Sequence, residues 1–368
     1  MALTTLVLGM LGLLLMWAGG GWDVAWHRTF GRDTFWSPPH LLLYTGVALS
    51  GVAAVIETVR AVSGQAGGRR ELRFGPLRCE LGLALVGIGA AGSIASAPID
   101  DAWHAAFGRD VDIWSPPHLL AVACVALIYA GWAIALAPGA APVADRVLGA
   151  LRLLVLGSLC GAAVFVLNFY YMMASTREAF FYPLALAVTV PFVLGFGAHL
   201  LGGRWPATRI AAAFTALGLL AIVLLTLRGM HEPAFPPLVI AGAIAIDVAR
   251  RQTSRPLVIG VAFAVAFVLA ELVRTSLVSA GAAVAPIEAT TAARDGLYLQ
   301  YRAAAIARPW LSLWPLAAVL VAGPIAALTF SVGGTVARAL TRVPSRREPE
   351  LQPIAYLQHA GALQPRDP

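Results

Sequence analysis

The sequence predicts an all-α fold: a polytopic transmembrane helical bundle of about ten spans with a tandem hairpin repeat at the N-terminus. Three observations lead there. Of 368 residues, 59% are hydrophobic and only 12% are charged, where a soluble domain carries about 25% charge. The shortage of charge extends along the chain instead of marking one anchor. Apolar runs of about 20 residues, the length that crosses a hydrocarbon core, recur as far as residue 333.

The first run, 3–20, lacks a basic stretch before it, and chemistry-bearing residues follow it directly. It therefore reads as a retained span, not a cleaved signal. Further spans are expected at about 41–60, 80–98, 118–137, 148–172, 180–201, 209–228, 236–249, 256–280 and 310–333. The eighth is short, and Pro236 and Pro237 are placed to begin it. These runs divide the chain into duplicated hairpins over 1–140, additional transmembrane helices over 141–335, and a tail over 336–368. The tail is rich in Pro, Arg and Glu and reads as disordered and cytoplasmic, with His359 a solvated residue within it.

Arginines set the expected orientation. Arg69, Arg70, Arg73 and Arg78 lie between spans two and three, Arg204 and Arg209 between six and seven, and Arg250, Arg251 and Arg255 between eight and nine. Arg338, Arg342, Arg346 and Arg347 follow the last span. One orientation in the inner (plasma) membrane puts all of them, and both termini, on the cytoplasmic side. Trp22, Trp26, Trp36, Trp103 and Trp114 then gather at the opposite interface, where aromatic side chains anchor. The formal charge of +7 is thus spent on topology. No basic stripe with interleaved aromatics exists, so nucleic acid is excluded as a partner. Cys79, Cys124 and Cys160 show no Cys-x-x-Cys spacing and imply neither a disulfide framework nor a thiolate metal site.

The informative feature is internal. The stretch from Asp23 to Leu42 recurs from Asp100 to Leu120, with 15 of 20 positions identical once one inserted residue before Trp114 is allowed. Both copies join an odd span to the next even one, so they belong on the same, non-cytoplasmic face. The apolar residues around them differ far more, which points to a constraint other than packing.

Asp23 and His27 are four residues apart, as are Asp100 and His104. On a helix that spacing puts both side chains on one face. Ser37-Pro38-Pro39 reads as an N-cap followed by proline in the first turn. His40 then falls in the first turn of span two, and the loop can fold it back toward Asp23 and His27. His118 stands in the same relation to Asp100 and His104. Two imidazoles and a carboxylate suit copper, iron or zinc and leave positions open for a small molecule. A single interfacial histidine is most often a packing residue. Two sets of Asp, His and His at convergent spacing beside a bilayer favour a metal site instead.

Around the ligands, Arg32 with Asp33 and Arg109 with Asp110 can pair with one another or orient the imidazoles, with Trp26 and Trp103 beside them. Gly31 and Gly108 suit a turn. His231 and Glu232 follow span seven and read as ordinary loop residues, although they could approach the metal region. Glu271 and Arg274, three apart on span nine, are intramembrane charges and so functional candidates, or a pair that neutralises itself. Asn168 and Tyr170 to Met173 end span five; Met172 and Met173 offer soft ligands to Cu(I), but packing and interface anchoring are the commoner roles. Residues 281–308, with Glu288, Arg294, Asp295, Tyr298 and Arg302, form a longer outer loop, a lid or docking surface. His199 belongs near the cytoplasmic side.

The first copy resembles the C subunit of the copper membrane monooxygenases, the particulate methane and ammonia monooxygenases. That subunit carries Asp-x3-His-x12-His, which Asp23, His27 and His40 fit, and Trp26, Arg32, Asp33, Thr34 and Pro38 fit its surroundings. The family's neighbouring site has Asn-x3-His-x13-His spacing. Asp100, His104 and His118 match it, with Asp100 in place of the Asn. The resemblance covers about the first 140 residues. The chain departs from the family in having more spans and no soluble cupredoxin-like domain, so partner subunits or a single-chain relative are both open.

The resemblance implies a copper-dependent, monooxygenase-like oxidoreductase that activates dioxygen and hydroxylates a small or lipophilic substrate arriving through the bilayer lipid. With no haem or iron–sulfur motif, electrons would come from a quinol or a partner reductase. The alternatives are a membrane copper transport or delivery protein, a non-haem iron or zinc enzyme with the same ligands, and a structural subunit that uses metal for assembly. Transport predicts ligands continuing through the membrane midplane.

Overall fold

The computed structural model describes residues 1–30, 36–65, 71–74, 77–107, 115–169, 181–230, 236–279 and 314–341. Within them lie ten helices: α1 (Leu3–Phe30), α2 (Pro38–Val62), α3 (Leu81–Phe107), α4 (Pro116–Ala135), α5 (Asp145–Phe169), α6 (Phe181–Leu201), α7 (Pro206–Leu227), α8 (Val239–Gln252), α9 (Pro256–Ser279) and α10 (Trp314–Thr341). Nine are long and apolar enough to cross a membrane; α8 is the exception. The chain is an integral membrane protein. Large apolar side chains such as Leu3, Val7, Leu11 and Leu14 on α1 are exposed, while Leu6, Leu13 and Met16 on the other face are buried. In water the exposed stripe would be a liability; in lipid it is the outer wall.

The first four helices form two hairpins, α1 with α2 and α3 with α4. Their buried faces correspond at the offset of the sequence repeat. Leu6, Gly9, Gly12, Leu13, Met16 and Gly19 are buried on α1; 77 residues on, so are Leu83, Val86, Gly89, Ala90, Ser93 and Ser96 on α3. On α2, Gly46, Ser50, Ala53 and Ala54 are buried, and 78 residues on, so are Cys124, Ile128, Gly131 and Trp132 on α4. A close backbone approach recurs too. A Cβ on Gly12 would lie 2.7 Å from the Gly46 carbonyl oxygen, and one on Gly89 would lie 2.7 Å from the Cys124 carbonyl oxygen. Glycine at both places lets the backbones touch, the usual way helices associate where lipid removes the hydrophobic drive. Trp132 ties the hairpins together: its ring lies where a Cβ on Gly9 would sit.

The other helices pack by the same small-residue contacts. Gly195 and Gly333 bring α6 and α10 into backbone contact, and Gly260 does so for α9 and α10. Polar atoms buried near helix ends find partners. Asp247 accepts from the Thr208 backbone N–H and hydroxyl, both at 2.8 Å, at the start of α7. Glu57 accepts from the Thr5 hydroxyl at 2.9 Å and from the Ala2 N–H at the start of α1.

Two features differ from the sequence expectation. The Arg-rich connection between spans two and three carries a small antiparallel ribbon, β1 (Glu71–Phe74) with β2 (Leu77–Glu80), where an all-helical fold predicts a plain loop. The eighth expected span is a helix of only 14 residues, about 21 Å long. The chain reaches it through buried Pro236 and Pro237. Pro236 packs against Gly218, in the middle of α7, where a Cβ would meet it at 3.1 Å. Nine residues of α7 separate Gly218 from Leu227, roughly 13 Å along the axis. The backbone thus enters the bundle before it becomes helical. Irregular backbone at that depth must be buried in protein and have its polar groups satisfied. Glu271 does this: its Oε1 accepts the Leu238 N–H at 2.8 Å, and its Oε2 accepts Arg274 Nε at 2.9 Å. Glu271 and Arg274 are therefore a neutralised pair that also closes the start of α8.

Candidate metal centre

The site is built at the ends of the two hairpins. α1 runs for 28 residues, about 42 Å, which exceeds a hydrocarbon core of about 30 Å. Its last turns, from Asp23 onward, extend beyond what a span needs, and the last turns of α3 from Asp100 do the same. This is why the carboxylates can be carried on helices at little desolvation cost. α2 and α4 start beside them, each at a serine followed by two prolines. Proline at the first turn loses no hydrogen bond and is pre-set to helical φ.

The fold brings the second histidine of each copy onto its aspartate. His40 Nε2 lies 3.0 Å from Asp23 Oδ1, and His118 Nε2 lies 3.2 Å from Asp100 Oδ1. Each contact joins residues from different helices, and each is partly shielded: the side chains are 24% and 15% exposed in the first pair, 31% and 25% in the second. His118 is held from its other side as well, with Nδ1 2.9 Å from the Ser115 hydroxyl.

The flanking aromatics repeat in the same way. Trp26 stacks at a tilt on Phe30 with centroids 4.6 Å apart, and Trp103 does so on Phe107 at 4.4 Å. Trp22 meets Trp26 edge to face at 6.1 Å. These pairs, one helical turn apart, stiffen the helix ends that carry the carboxylates. Trp103 Nε1 is buried with no hydrogen-bond partner among the described residues.

His27 and His104 lie on the backbones of α1 and α3, one turn beyond Asp23 and Asp100; their side chains lie outside the described residues. So do Arg32, Asp33, Arg109 and Asp110, and with them His231, Glu232, Tyr170 to Met173, the 281–308 loop, the side chain of Asn168 and the tail with His359. Among the described residues, no group of three or more His, Cys, Asp or Glu converges; the described part of each motif is a pair. His199 is remote from both, bonded through Nε2 to the Thr341 hydroxyl at 3.1 Å. Cys79, Cys124 and Cys160 are free thiols.

The donor set fits a metal ion. Imidazole nitrogen and carboxylate oxygen bind divalent transition ions at about 2.0–2.2 Å. Two such donors at right-angled to tetrahedral placement on one ion stand roughly 2.9–3.4 Å apart. The observed N···O separations of 3.0 and 3.2 Å fall within that range. Sequence reasoning missed the serine on His118 Nδ1, although its signal was present: a helix-opening serine followed by prolines and then by histidine.

No family model, no curated protein and no solved structure matches this chain.

Proposed function

We propose that this chain is a copper-binding membrane protein of the monooxygenase type, with two metal centres built from one duplicated hairpin. Asp23, His27 and His40 make the first centre; Asp100, His104 and His118 make the second. The observation that carries the reading is the recurrence of the aspartate–histidine contact between helices, at 3.0 and 3.2 Å, in the two copies. A packing residue at an interface need not recur in this form. The burial pattern at offsets of 77 and 78 and the paired glycines at the hairpin crossings support duplication of the whole hairpin.

Bound copper would supply dioxygen activation; iron or zinc would fit the same donors with different chemistry. The chain's own residues fix the imidazoles and carboxylates, leave positions open and, through the Trp and Phe pairs, keep the approach apolar. A small or lipophilic substrate would enter from the lipid, and electrons would come from a quinol or a partner reductase. The arginine distribution favours the inner membrane with both termini cytoplasmic and the centres on the other face; α8 with its proline lead then counts as a crossing.

Copper transport or delivery is the second reading, and the broken path into α8 favours it, because discontinuous helices at depth mark transporter sites. Against it, the carboxylate there is already engaged by the Leu238 N–H and Arg274. The test is elemental analysis of the protein purified from copper-supplemented membranes, as wild type, His27→Ala, His104→Ala and the double variant. Copper should fall stepwise, by about one centre per substitution. Absence of metal from the wild type, or metal indifferent to both substitutions, overturns the assignment. Quinol-dependent oxygen uptake that falls in step with copper supports the monooxygenase reading; copper flux into proteoliposomes without oxygen uptake supports transport.

A further inference from the structure

We propose that Ser37 and Ser115 are positioning residues: their hydroxyls hold Nδ1 of His40 and His118 and aim Nε2 at the aspartates, instead of capping the helices they open. The inference rests on the metal-site reading and adds residues to it.

A serine at the N-cap ordinarily accepts a hydrogen bond from the N–H two or three residues on. Neither serine does. Ser37 and Ser115 sit at the N-caps of α2 and α4 with nearly the same backbone, φ −59° and ψ 145° against φ −61° and ψ 144°, and neither side chain makes a capping bond. The sequence explains why. The residue two on is Pro39 or Pro117, which has no N–H to give. The residue three on is the histidine itself. Two prolines have removed one capping donor and left the hydroxyl facing the first-turn imidazole.

In the second hairpin the result is direct: Ser115 Oγ lies 2.9 Å from His118 Nδ1. Ser115 is 4% exposed and Ser37 is 6% exposed, so water does not compete for either hydroxyl. The imidazole thus meets the serine hydroxyl at Nδ1 and has the Asp100 carboxylate 3.2 Å from Nε2. The carboxylate charge favours the tautomer with the proton on Nε2, which leaves Nδ1 to accept from the serine O–H. When an ion takes the place of the Nε2 proton, the neutral imidazole carries its proton on Nδ1, and the same hydroxyl accepts it. A hydroxyl both donates and accepts, so it serves the two states without any heavy atom moving. Partners of this kind, on the far nitrogen of a ligating histidine, fix ring orientation and tautomer.

The test uses the full chain in lipid nanodiscs, as wild type, Ser37→Ala, Ser115→Ala, Ser115→Thr and His118→Ala. The first readout is the nitrogen chemical shifts of the His40 and His118 rings in metal-free protein. The second is copper(II) affinity by competition with a chelator. Wild type should show the Nε2–H tautomer at both rings. Each alanine variant should shift its own ring toward a tautomer mixture and weaken its own centre by about tenfold to a hundredfold, with the number of ions bound unchanged. Ser115→Thr, which keeps the hydroxyl, should restore both. Unchanged tautomers and affinity in the alanine variants, with metal still lost in His118→Ala, would overturn the serine role and leave the metal centres standing. A wild type that binds no copper would overturn the metal reading, and the metal-free tautomer comparison would still decide the serine contact. A fall in thermal stability alone, with both readouts unmoved, would make the serines ordinary structural residues and overturn the proposal.

Discussion

Replacing Glu271 by alanine should destabilise the bundle more than replacing Glu271 and Arg274 together. Glu271 is 4% exposed and Arg274 8%, so the guanidinium cannot turn to water when its partner goes. Stranding one member of a buried pair costs about 3–5 kcal/mol. Glu271 also accepts the Leu238 N–H at 2.8 Å, and an orphaned buried donor adds about 1–3 kcal/mol. The single variant should therefore lose roughly 4–8 kcal/mol on those two sums. In Glu271→Ala/Arg274→Met the stranded charge is gone and only the orphaned N–H remains, leaving a loss of about 1–3 kcal/mol. The double variant should thus recover at least about 3 kcal/mol. The assay is reversible unfolding in mixed micelles, with copper content measured beside it; the proposed centres lie in the α1–α4 hairpins, so on that reading copper should stay with the folded fraction. A double variant as unstable as the single, or worse, would show that the charges do not depend on each other, and would refute the account of the α8 break.

Two further outcomes follow from the same structure. Gly12→Leu and Gly89→Leu each force apart one pair of backbones that would leave a Cβ only 2.7 Å from a carbonyl oxygen; each should weaken copper binding at its own hairpin and spare the other, which site-resolved competition with His27→Ala and His104→Ala backgrounds would detect. Cys79, on the ribbon outside the spans, has its thiol pKa pushed up by burial, which outweighs the lowering by the Thr58 hydroxyl bond, with Glu80 and Glu57 adding smaller upward pushes. Its folded pKa exceeds the unfolded one, so its contribution to stability is full below the unfolded thiol pKa and is lost as pH rises through the folded value. Alkylation at pH 8 should be slower than for an unfolded chain, and Cys79→Ala should flatten the fall in stability on the alkaline side.

Much of this was legible in the sequence, for definable reasons. Span length and apolar composition fix which segments cross, and Asp-x3-His spacing needs only a helix to put its residues one turn apart. The return of His40 and His118 to the aspartates followed from Ser-Pro-Pro, which dictates where the next helix starts. Pro236 and Pro237 were expected to begin the eighth helix; they lie just ahead of it, on the non-helical approach to Val239, and nothing in the sequence signals how deep that approach runs. Depth depends on Gly218 of α7, eighteen residues earlier, and on Glu271 of α9, which supplies the missing acceptor. These are tertiary contacts with no local sign. The ribbon Glu71–Phe74 with Leu77–Glu80 does carry the polar–apolar alternation of a strand, but over only four residues on each side, the shortest run in which that pattern has meaning. The Ser115 contact with His118 was hidden by a correct local reading: serine before proline does open a helix, and the absent N–H of Pro117 removes only one of the two donors that an N-cap serine uses.

The two hairpins also show which positions tolerate change. At the buried faces the places are kept and, apart from Leu6 with Leu83 and Gly12 with Gly89, the residues named above are not. Met16 on α1 corresponds to Ser93 on α3, a large loss of volume, and Gly46 on α2 corresponds to Cys124 on α4, a gain. The exchanges are linked in space: Met16 packs over Gly46, where a Cβ would meet its Cγ at 2.8 Å, while the Cys124 sulfur fills the room above Gly92, next to Ser93. A close-packed interior requires that volume lost on one side be filled from the other, and any apolar atoms can fill it. The carboxylate and imidazole cannot be compensated in that way. A neighbour can supply volume to a cavity, but no neighbouring methyl group can supply a lone pair at Nε2 or a negative charge at Oδ1. The unchanged set joins Asp, His, His and Ser to the Trp, Phe and Pro residues around them; packing accounts for the second group, and ion binding is the proposed constraint on the first.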